Sequence, residues 1–163
     1  PPKCRFLDVG GGKGTFISEL SKIYPTVDVA VFDLPGSHSK NAKHTCITGS
    51  FKEDELPEGY DIISLVRILY DHRDNTIESL LAKVHRALGP GGRLIVSEPM
   101  LGPDRPSIWG DVYFAIYTLA MRTGKTRSPK QVSDLIKAAG FVDIKIHKSR
   151  RPFITTVIEA RKS

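Results

Sequence analysis

Short apolar runs alternate along the chain with segments whose apolar residues recur at helical spacing. The runs cover residues 6–9, 27–32, 45–48, 61–69 and 93–98. Helical spacing occurs at residues 16–24, 77–88, 109–121 and 129–139. The run at 61–69 is continuous, as in a strand that is buried on both faces. Strands that alternate with helices in this way predict a parallel sheet wound with right-handed crossovers.

The last two predicted strands, residues 142–146 and 153–160, are separated by only a few residues. A parallel pair needs a crossover of about a dozen residues or more, so these two strands are predicted to be antiparallel. The sequence therefore predicts an α/β fold with a Rossmann-like, doubly wound sheet of seven strands, mostly parallel with an antiparallel last strand. This arrangement is typical of the class I methyltransferase fold, whereas NAD-binding Rossmann domains lack the reversed strand.

Two segments depart from a regular pattern. Residues 34–44 are short for a crossover helix and contain Pro35 and Gly36, which predicts a single turn or an irregular connection. The chain also opens at Pro1 without an initiator Met and reaches its first strand by Phe6. We therefore expect residues 1–163 to be one domain of a longer protein, with a segment upstream.

The composition is that of one globular domain, with 163 residues, 40% hydrophobic and 26% charged. No apolar run approaches the roughly 20 residues of a membrane span, and no signal peptide opens the chain. Cys4 and Cys46 are too few for a disulfide scaffold or a zinc site. We expect both to be buried thiols in a reducing, cytoplasmic compartment and predict no metal.

The net charge of +6 is concentrated near the end of the chain. Residues 122–163 contain 11 of the 24 Lys and Arg residues but only 3 of the 18 Asp and Glu residues. A basic stretch can mark a nucleic-acid interface. Here the basic residues alternate with apolar ones, which favours the solvated faces of a helix and a hairpin. A nucleic-acid methyltransferase is nevertheless kept as an alternative.

A glycine loop follows the first predicted strand and opens the first helix. Residues 8–14 read DVGGGKG, an acid-x-G-x-G-x-G pattern. The dinucleotide fingerprint G-x-G-x-x-G does not fit, because its third position falls on Thr15 or Ile17. A carboxylate beside the glycines would repel a pyrophosphate but can accept a hydrogen bond from an ammonium group. Asp8, Gly10 and Gly12 are therefore predicted to bind the methionine end of S-adenosylmethionine.

Two further candidates for cofactor binding follow the second and third strands. Asp33 ends the second strand, where a carboxylate can accept hydrogen bonds from both ribose hydroxyls. Its alternative role is a turn or a helix N-cap. Phe51 follows the third strand and either packs on adenine or belongs to the core.

Together these residues resemble the plant and bacterial small-molecule O-methyltransferases. The stretches that carry the resemblance are residues 7–14, 31–35, 66–72, 87–93 and 97–100. Residues 110–121, GDVYFAIYTLAM, look like the bacterial carotenoid branch, the hydroxyneurosporene or demethylspheroidene O-methyltransferases. The resemblance implies a cofactor site that contains Ser50 and Phe51 near adenine. It also implies an additional N-terminal helical domain, with which a homodimer is expected.

The resemblance further implies a catalytic base at the end of the fourth strand. In the plant-type branch this base is the His of an H-D-W pattern, steadied by two acids. Tyr70 stands in its place here, Glu98 matches the first acid, and Thr126 falls at the second. Tyrosine has an ordinary pKa of about 10 and is a poor base, so Tyr70 would orient the acceptor or relay a proton. His72 either enters the site or faces solvent, and Glu98 either serves the site or forms a structural ion pair.

The sequence thus predicts an S-adenosylmethionine-dependent O-methyltransferase that acts on a hydroxyl of a small, apolar acceptor such as a carotenoid or a phenolic compound. No nucleic-acid partner is expected. Base amino-methylating enzymes carry N/D-P-P-Y/F after the fourth strand, where residues 67–71 here read RILYD. A non-catalytic module that binds S-adenosylmethionine is the remaining alternative, because His and one acid are replaced at Tyr70 and Thr126. An NAD-dependent oxidoreductase is disfavoured by the glycine pattern.

Overall fold

The structure is a computed structural model that describes residues 4–101, 112–147 and 155–163. Its seven strands are β1 Arg5–Val9, β2 Asp28–Asp33, β3 Thr45–Thr48, β4 Tyr60–Val66, β5 Leu88–Glu98, β6 Phe141–His147 and β7 Thr156–Lys162. Its α-helices in these ranges are α1 Thr15–Ile23, α2 Asp74–Ala87, α3 Tyr113–Met121 and α4 Pro129–Ala138. The predicted starts of the third helix, at 109–111, and of the last strand, at 153–154, lie outside the described residues.

The strands form one sheet in the order β3-β2-β1-β4-β5-β7-β6. All pairs from β3 to β5 are parallel, and β7 runs antiparallel to both β5 and β6. The predicted fold, including the reversed last strand, is therefore confirmed. Because β2 and β4 flank β1, the chain order reverses beside β1, and ligands of open α/β sheets bind in the crevice at such a switch point.

The core lies on both faces of the central strands. Leu7 and Val9 of β1 and Ile63 and Leu65 of β4 are completely buried, as expected for parallel strands covered by helices. The apolar stripe of α2 packs onto the same core; its buried members are Ile77, Leu80, Leu81, Val84 and Ala87. This rigid layer holds the carboxyl ends of the strands, from which the site is built.

The fourth strand ends earlier than predicted. The apolar run continues to residue 69, but β4 ends at Val66 and a 3-10 helix covers Leu69–Asp71. Arg67 has a φ of 58°, in the left-handed region, which turns the backbone out of the sheet. The amides of the next two residues then bind the carboxylate of Glu98 instead of a neighbouring strand. We call residues 67–72 the β4 turn.

The start of β5 differs from the sequence prediction, whereas the connection after β2 agrees with it. β5 begins at Leu88 instead of residue 93, because Leu88 already pairs with Tyr60 before an irregularity in the register. Residues 34–44 contain no helix, so the expected irregular connection is confirmed.

Cys46 is exposed, because β3 is an edge strand, and Cys4 is half-buried. The expectation of two buried thiols was wrong. Among the described helices, none has the length and apolarity that a membrane crossing requires.

Helix α4 begins with a reciprocal capping arrangement. The hydroxyl of Ser128 accepts a hydrogen bond from the backbone amide of Gln131 at 3.2 Å, and the side chain of Gln131 accepts one from the amide of Ser128 at 2.9 Å. Pro129 occupies the first helical position, where no amide hydrogen is needed. Ser128 is therefore the N-cap of α4.

We expect Ser128→Ala to lower the free energy of unfolding by about 1 kcal/mol, because one amide of the first helical turn loses its acceptor. Urea denaturation followed by circular dichroism measures the change. Ser133→Ala in the same helix is the matched control. Its hydroxyl is buried with no hydrogen-bond partner among the described residues, so its removal should cost nothing. Equal losses in the two variants would contradict the capping role.

Candidate cofactor and methyl-transfer site

The glycine loop after β1 is held close to β2 and to the β4 turn. The amide of Gly10 donates to the carbonyl of Phe32 at 2.7 Å. Gly10 has a φ of 74°, and a Cβ at this position would collide with Ile68. A side chain is therefore excluded both by the backbone conformation and by the packing. The loop and the β4 turn consequently form two walls of one crevice.

Asp33 joins the glycine loop to the end of β2. Its Oδ2 accepts a hydrogen bond from the amide of Gly12 at 2.6 Å, and its Oδ1 accepts one from the amide of Leu34 at 2.6 Å. Each carboxylate oxygen has a second lone pair. Asp33 can therefore fix the loop and still accept hydrogen bonds from a ligand in the crevice.

Asp8 is a buried carboxyl group beneath the glycine loop. It is 1% exposed, and the hydroxyl of Ser64 donates to its Oδ1 at 2.6 Å. Burial, and to a smaller extent the nearby charge of Asp33, raises its pKa to about 6. None of the ion pairs formed by the described residues includes Asp8. The hydrogen bond from Ser64 favours the charged form, and a cation bound nearby would stabilise that form further.

A cavity of about 290 Å³ opens between the glycine loop, the end of β3 and the β4 turn. Its lining residues are Gly10, Asp33, Leu34, Gly49, Ser50, Phe51, Lys52, Ile68 and His72. This size is close to the lower end of small-molecule sites. The cavity thus brings together four of the predicted cofactor residues and His72. Gly12 and Asp8 adjoin it through Asp33 and the glycine loop.

His72 enters this cavity instead of facing solvent. Its ring meets the ring of Phe51 edge-on, with centroids 5.3 Å apart and an interplanar angle of 77°. Burial lowers the pKa of His72, and the charges of Lys52 and Arg127 lower it further. The imidazole is consequently neutral at neutral pH and, with Phe51, gives the cavity an aromatic wall.

Tyr70 lies on the other side of the β4 turn. It is buried, its ring centroid is 5.7 Å from that of Tyr117, and Nη2 of Arg67 donates to its hydroxyl at 3.3 Å. Burial raises the pKa of Tyr70; the hydrogen bond from Arg67 opposes this shift, and a side-chain hydrogen bond with Tyr117 adds to it. The side chain is therefore a neutral phenol at physiological pH, a form that can donate a hydrogen bond but cannot remove a proton.

Glu98 ends β5 and binds backbone instead of a charged side chain. Its Oε1 accepts hydrogen bonds from the amides of Ile68 and Leu69 at 2.7 and 2.8 Å. Its Oε2 is buried and has no hydrogen-bond partner within the described part of the chain. Burial raises the pKa of Glu98 to about 7, against the effect of the backbone hydrogen bonds. Glu98 takes part in none of the ion pairs that the described residues form.

Two charged residues at the site were not found from the sequence. Arg67 contacts Tyr70, and Arg127 is only 3% exposed beneath the β4 turn. Arg127 follows Thr126, the position that matches the second acid, but it was grouped with the solvated basic residues. Its burial depends on how the segment after α3 folds, which periodicity does not reveal.

In the part of the chain that is described, no three His, Cys, Asp or Glu residues cluster in a way that could hold a metal ion.

The sheet order, the glycine loop after β1 and the acid at the end of β2 define a class I methyltransferase fold. Residues 3–142 match the sequence profile of the O-methyltransferase domain. The chain therefore belongs to the O-methyltransferase family.

Similar proteins include two bacterial enzymes. The demethylspheroidene O-methyltransferase of Rhodobacter capsulatus is 49% identical over 97% of this chain and 41% of its own length. That of Cereibacter sphaeroides is 42% identical over 96% of this chain and 44% of its own length. The crystal structure of human N-acetylserotonin methyltransferase in complex with S-adenosylmethionine superimposes with a TM-score of 0.86 at 30% identity, covering 98% of this chain and 47% of that one. The chain spans less than half the length of each.

The buried charge of Asp8 predicts a characteristic dependence of stability on pH. Its pKa in the fold, about 6, lies above its ordinary value of 3.8, so folding favours the protonated form. The fold is therefore destabilised as the pH rises from about 4 to about 7, by up to about 3 kcal/mol.

Asp8→Asn keeps the acceptor for Ser64 but cannot ionise. We expect the variant to gain stability relative to the wild type across this pH range, measured by urea denaturation at several pH values. A stability difference that stays constant from pH 4 to 7 would contradict the buried charge.

Proposed function

We propose that this chain is the catalytic domain of an S-adenosylmethionine-dependent methyltransferase that transfers a methyl group to a hydroxyl of a small, apolar acceptor. The observation that carries the proposal is the buried carboxyl of Asp8, which lies under a glycine loop beside a nucleoside-sized cavity and has no cationic partner among the described residues. A ligand with an ammonium group would supply that partner. NAD has no amino-acid moiety that could do so.

The residues around the cavity fit the other parts of S-adenosylmethionine. The free lone pairs of Asp33 suit the two ribose hydroxyls. Phe51 and His72 offer an aromatic wall for adenine, with Ser50 beside them. When bound, this cofactor would supply a methyl group attached to a cationic sulfonium sulfur. The neutral thioether that remains after transfer is a good leaving group.

The acceptor side is proposed to lie at Tyr70. In methyl transfer the bond between sulfur and the methyl carbon breaks and its electron pair stays on sulfur, while a bond to the acceptor oxygen forms. The acceptor hydroxyl becomes acidic as that bond forms and releases its proton to solvent water. We assign Tyr70 the task of orienting that hydroxyl by a hydrogen bond, because burial keeps it a neutral phenol. Alignment of the acceptor oxygen with the methyl carbon then contributes much of the rate. Glu98 holds the backbone that carries Tyr70.

We propose a carotenoid of the demethylspheroidene type as the acceptor, because two relatives with this name match almost the whole chain at 49% and 42% identity. We also propose a cytoplasmic location, which suits two free cysteines. Dimerisation is proposed by analogy with the small-molecule O-methyltransferases that the chain resembles.

Calorimetric titration tests the cofactor. S-adenosylhomocysteine should bind, and NAD should give no heat of binding. Asp8→Asn should weaken S-adenosylhomocysteine about 10- to 100-fold, the range of a charged hydrogen bond. It should leave 5′-methylthioadenosine unchanged, because that nucleoside lacks the ammonium group. Asp33→Ala should weaken both ligands.

Asp28→Ala, at the opposite end of β2, is the matched control and should bind both ligands as the wild type does. If S-adenosylhomocysteine fails to bind the folded wild type, or if Asp8→Asn weakens both ligands equally, the proposed cofactor site is wrong.

Tyr70→Phe tests the acceptor side. With demethylspheroidene as acceptor we expect kcat to fall about 10- to 100-fold, because a hydroxyl group that is no longer oriented reaches the methyl carbon less often. The dissociation constant for S-adenosylhomocysteine should stay within about threefold, since Tyr70 does not line the cavity. Tyr24→Phe, at an exposed tyrosine, is the control. An unchanged kcat in Tyr70→Phe would exclude the orienting role.

A further inference from the structure

The β4 turn has little hydrogen bonding of its own. Within it, the amide of Asp71 donates to the carbonyl of Ile68 at 3.3 Å, and that of His72 to the carbonyl of Leu69 at 3.2 Å. Both bonds are longer than the usual 2.9–3.0 Å for an N–H···O contact. Yet this short segment sends Tyr70 to one side and His72 to the cavity on the other. The conformation of the turn must therefore be fixed by residues that lie outside it in the sequence.

Two buried charges of opposite sign bind the two ends of the turn. At the start, Glu98 accepts hydrogen bonds from two backbone amides. Arg127 donates to the carbonyl of Leu69, in the middle of the turn, at 3.0 Å and to that of His72, at its end, at 2.9 Å. The amides that Glu98 binds carry partial positive charge and the carbonyls that Arg127 binds carry partial negative charge, so each side chain stabilises the backbone groups that it contacts.

The guanidinium of Arg127 is itself fixed in orientation. Its Nε donates to Oδ1 of Asp74 at 2.8 Å, and its Nη1 also donates to the carbonyl of Lys125 at 2.9 Å. Asp74, the first residue of α2, forms a further ion pair with Lys125 at 2.6 Å. Arg127 makes four hydrogen bonds from its three nitrogen atoms to four different acceptors while it is almost fully buried. An ammonium group has three donors at a single point and cannot reproduce this planar fork.

We propose that Arg127 is a positioning residue for methyl transfer: it binds the carbonyls of the β4 turn and thereby fixes Tyr70 and His72 relative to each other. This inference rests on the proposed function. The residue acts through the backbone, so its effect on the reaction passes through the side chains that the turn carries. Misplacing a reacting group by about 1 Å can cost about 100-fold in rate.

The test is a double-mutant cycle between Arg127→Lys and Tyr70→Phe, with demethylspheroidene as acceptor. Arg127→Lys keeps the buried positive charge but not the fork. We expect it to lower kcat at least about 10-fold in the wild-type background and less than about threefold in the Tyr70→Phe background, where no hydroxyl remains to be placed. If the decrease in kcat of the double variant equals the product of the decreases in the two single variants, the proposal is overturned.

Phe141→Leu is the control for a general loss of stability. Phe141 is buried at the amino-terminal edge of the sheet, opposite the site. Its effect on kcat should be small and should multiply with that of Tyr70→Phe. If Arg127→Lys shows the same pattern as this control at a similar melting temperature, a merely structural role replaces the positioning role.

A second measurement does not depend on turnover. Hydrogen exchange should show that Arg127→Lys accelerates exchange of the amides in residues 68–72 about 10-fold or more and leaves β1 and β2 unchanged. Unchanged exchange in the turn would overturn the proposal even if the wild type is active. Local acceleration in a protein that neither binds S-adenosylhomocysteine nor transfers methyl groups would support the role of Arg127 in fixing the turn and reject the proposed function.

Discussion

The carboxylate of Glu98 takes two backbone amides away from the sheet, and the geometry of the whole site depends on this interaction. A buried acid needs hydrogen-bond donors to remain in the fold at an acceptable cost. The amides of Ile68 and Leu69 are the donors, and they can serve Glu98 only if β4 stops at Val66. The chain must then turn at Arg67. Tyr70 and His72 consequently leave the end of one strand in two directions.

The charges at this edge of the sheet are separated in a consistent way. Asp8 lies under the glycine loop, where a cationic ligand would be bound, and Glu98 binds the amides of the β4 turn. Buried cations lie behind the loops and bind their carbonyls. Arg127 does this for the β4 turn, and Lys83 does it for the loop after β3 by donating to the carbonyls of Phe51 and Asp54 at 3.0 and 2.7 Å. Among the described residues neither cation forms an ion pair with Asp8 or Glu98, so the loops are held without neutralising these acids.

The fold, and the grouping of Gly10, Asp33, Ser50 and Phe51 around one cavity, could be predicted from the sequence because their signals are local. The glycine pattern, the acid at the end of β2 and the apolar runs are each contained in a few consecutive residues. The β4 turn could not be predicted, since the run at 61–69 is apolar throughout and its end depends on Glu98, about thirty positions later. Arg127 was missed for a similar reason. A buried guanidinium and a solvated one look alike in a sequence, and only the carbonyls around it distinguish them.

The binding of the β4 turn by Glu98 and Arg127 also explains how residue 70 can be a Tyr here, whereas the plant-type branch has a His at this position. Glu98 and Arg127 bind only backbone amides and carbonyls of the turn, never the side chain at position 70. These backbone contacts can therefore form whether that position carries an imidazole or a phenol. A change from a base to a neutral hydrogen-bond donor would alter the chemistry offered to the acceptor without moving the backbone. Separating the support of the turn from the identity of its side chain allows one scaffold to serve acceptors with different proton-transfer requirements.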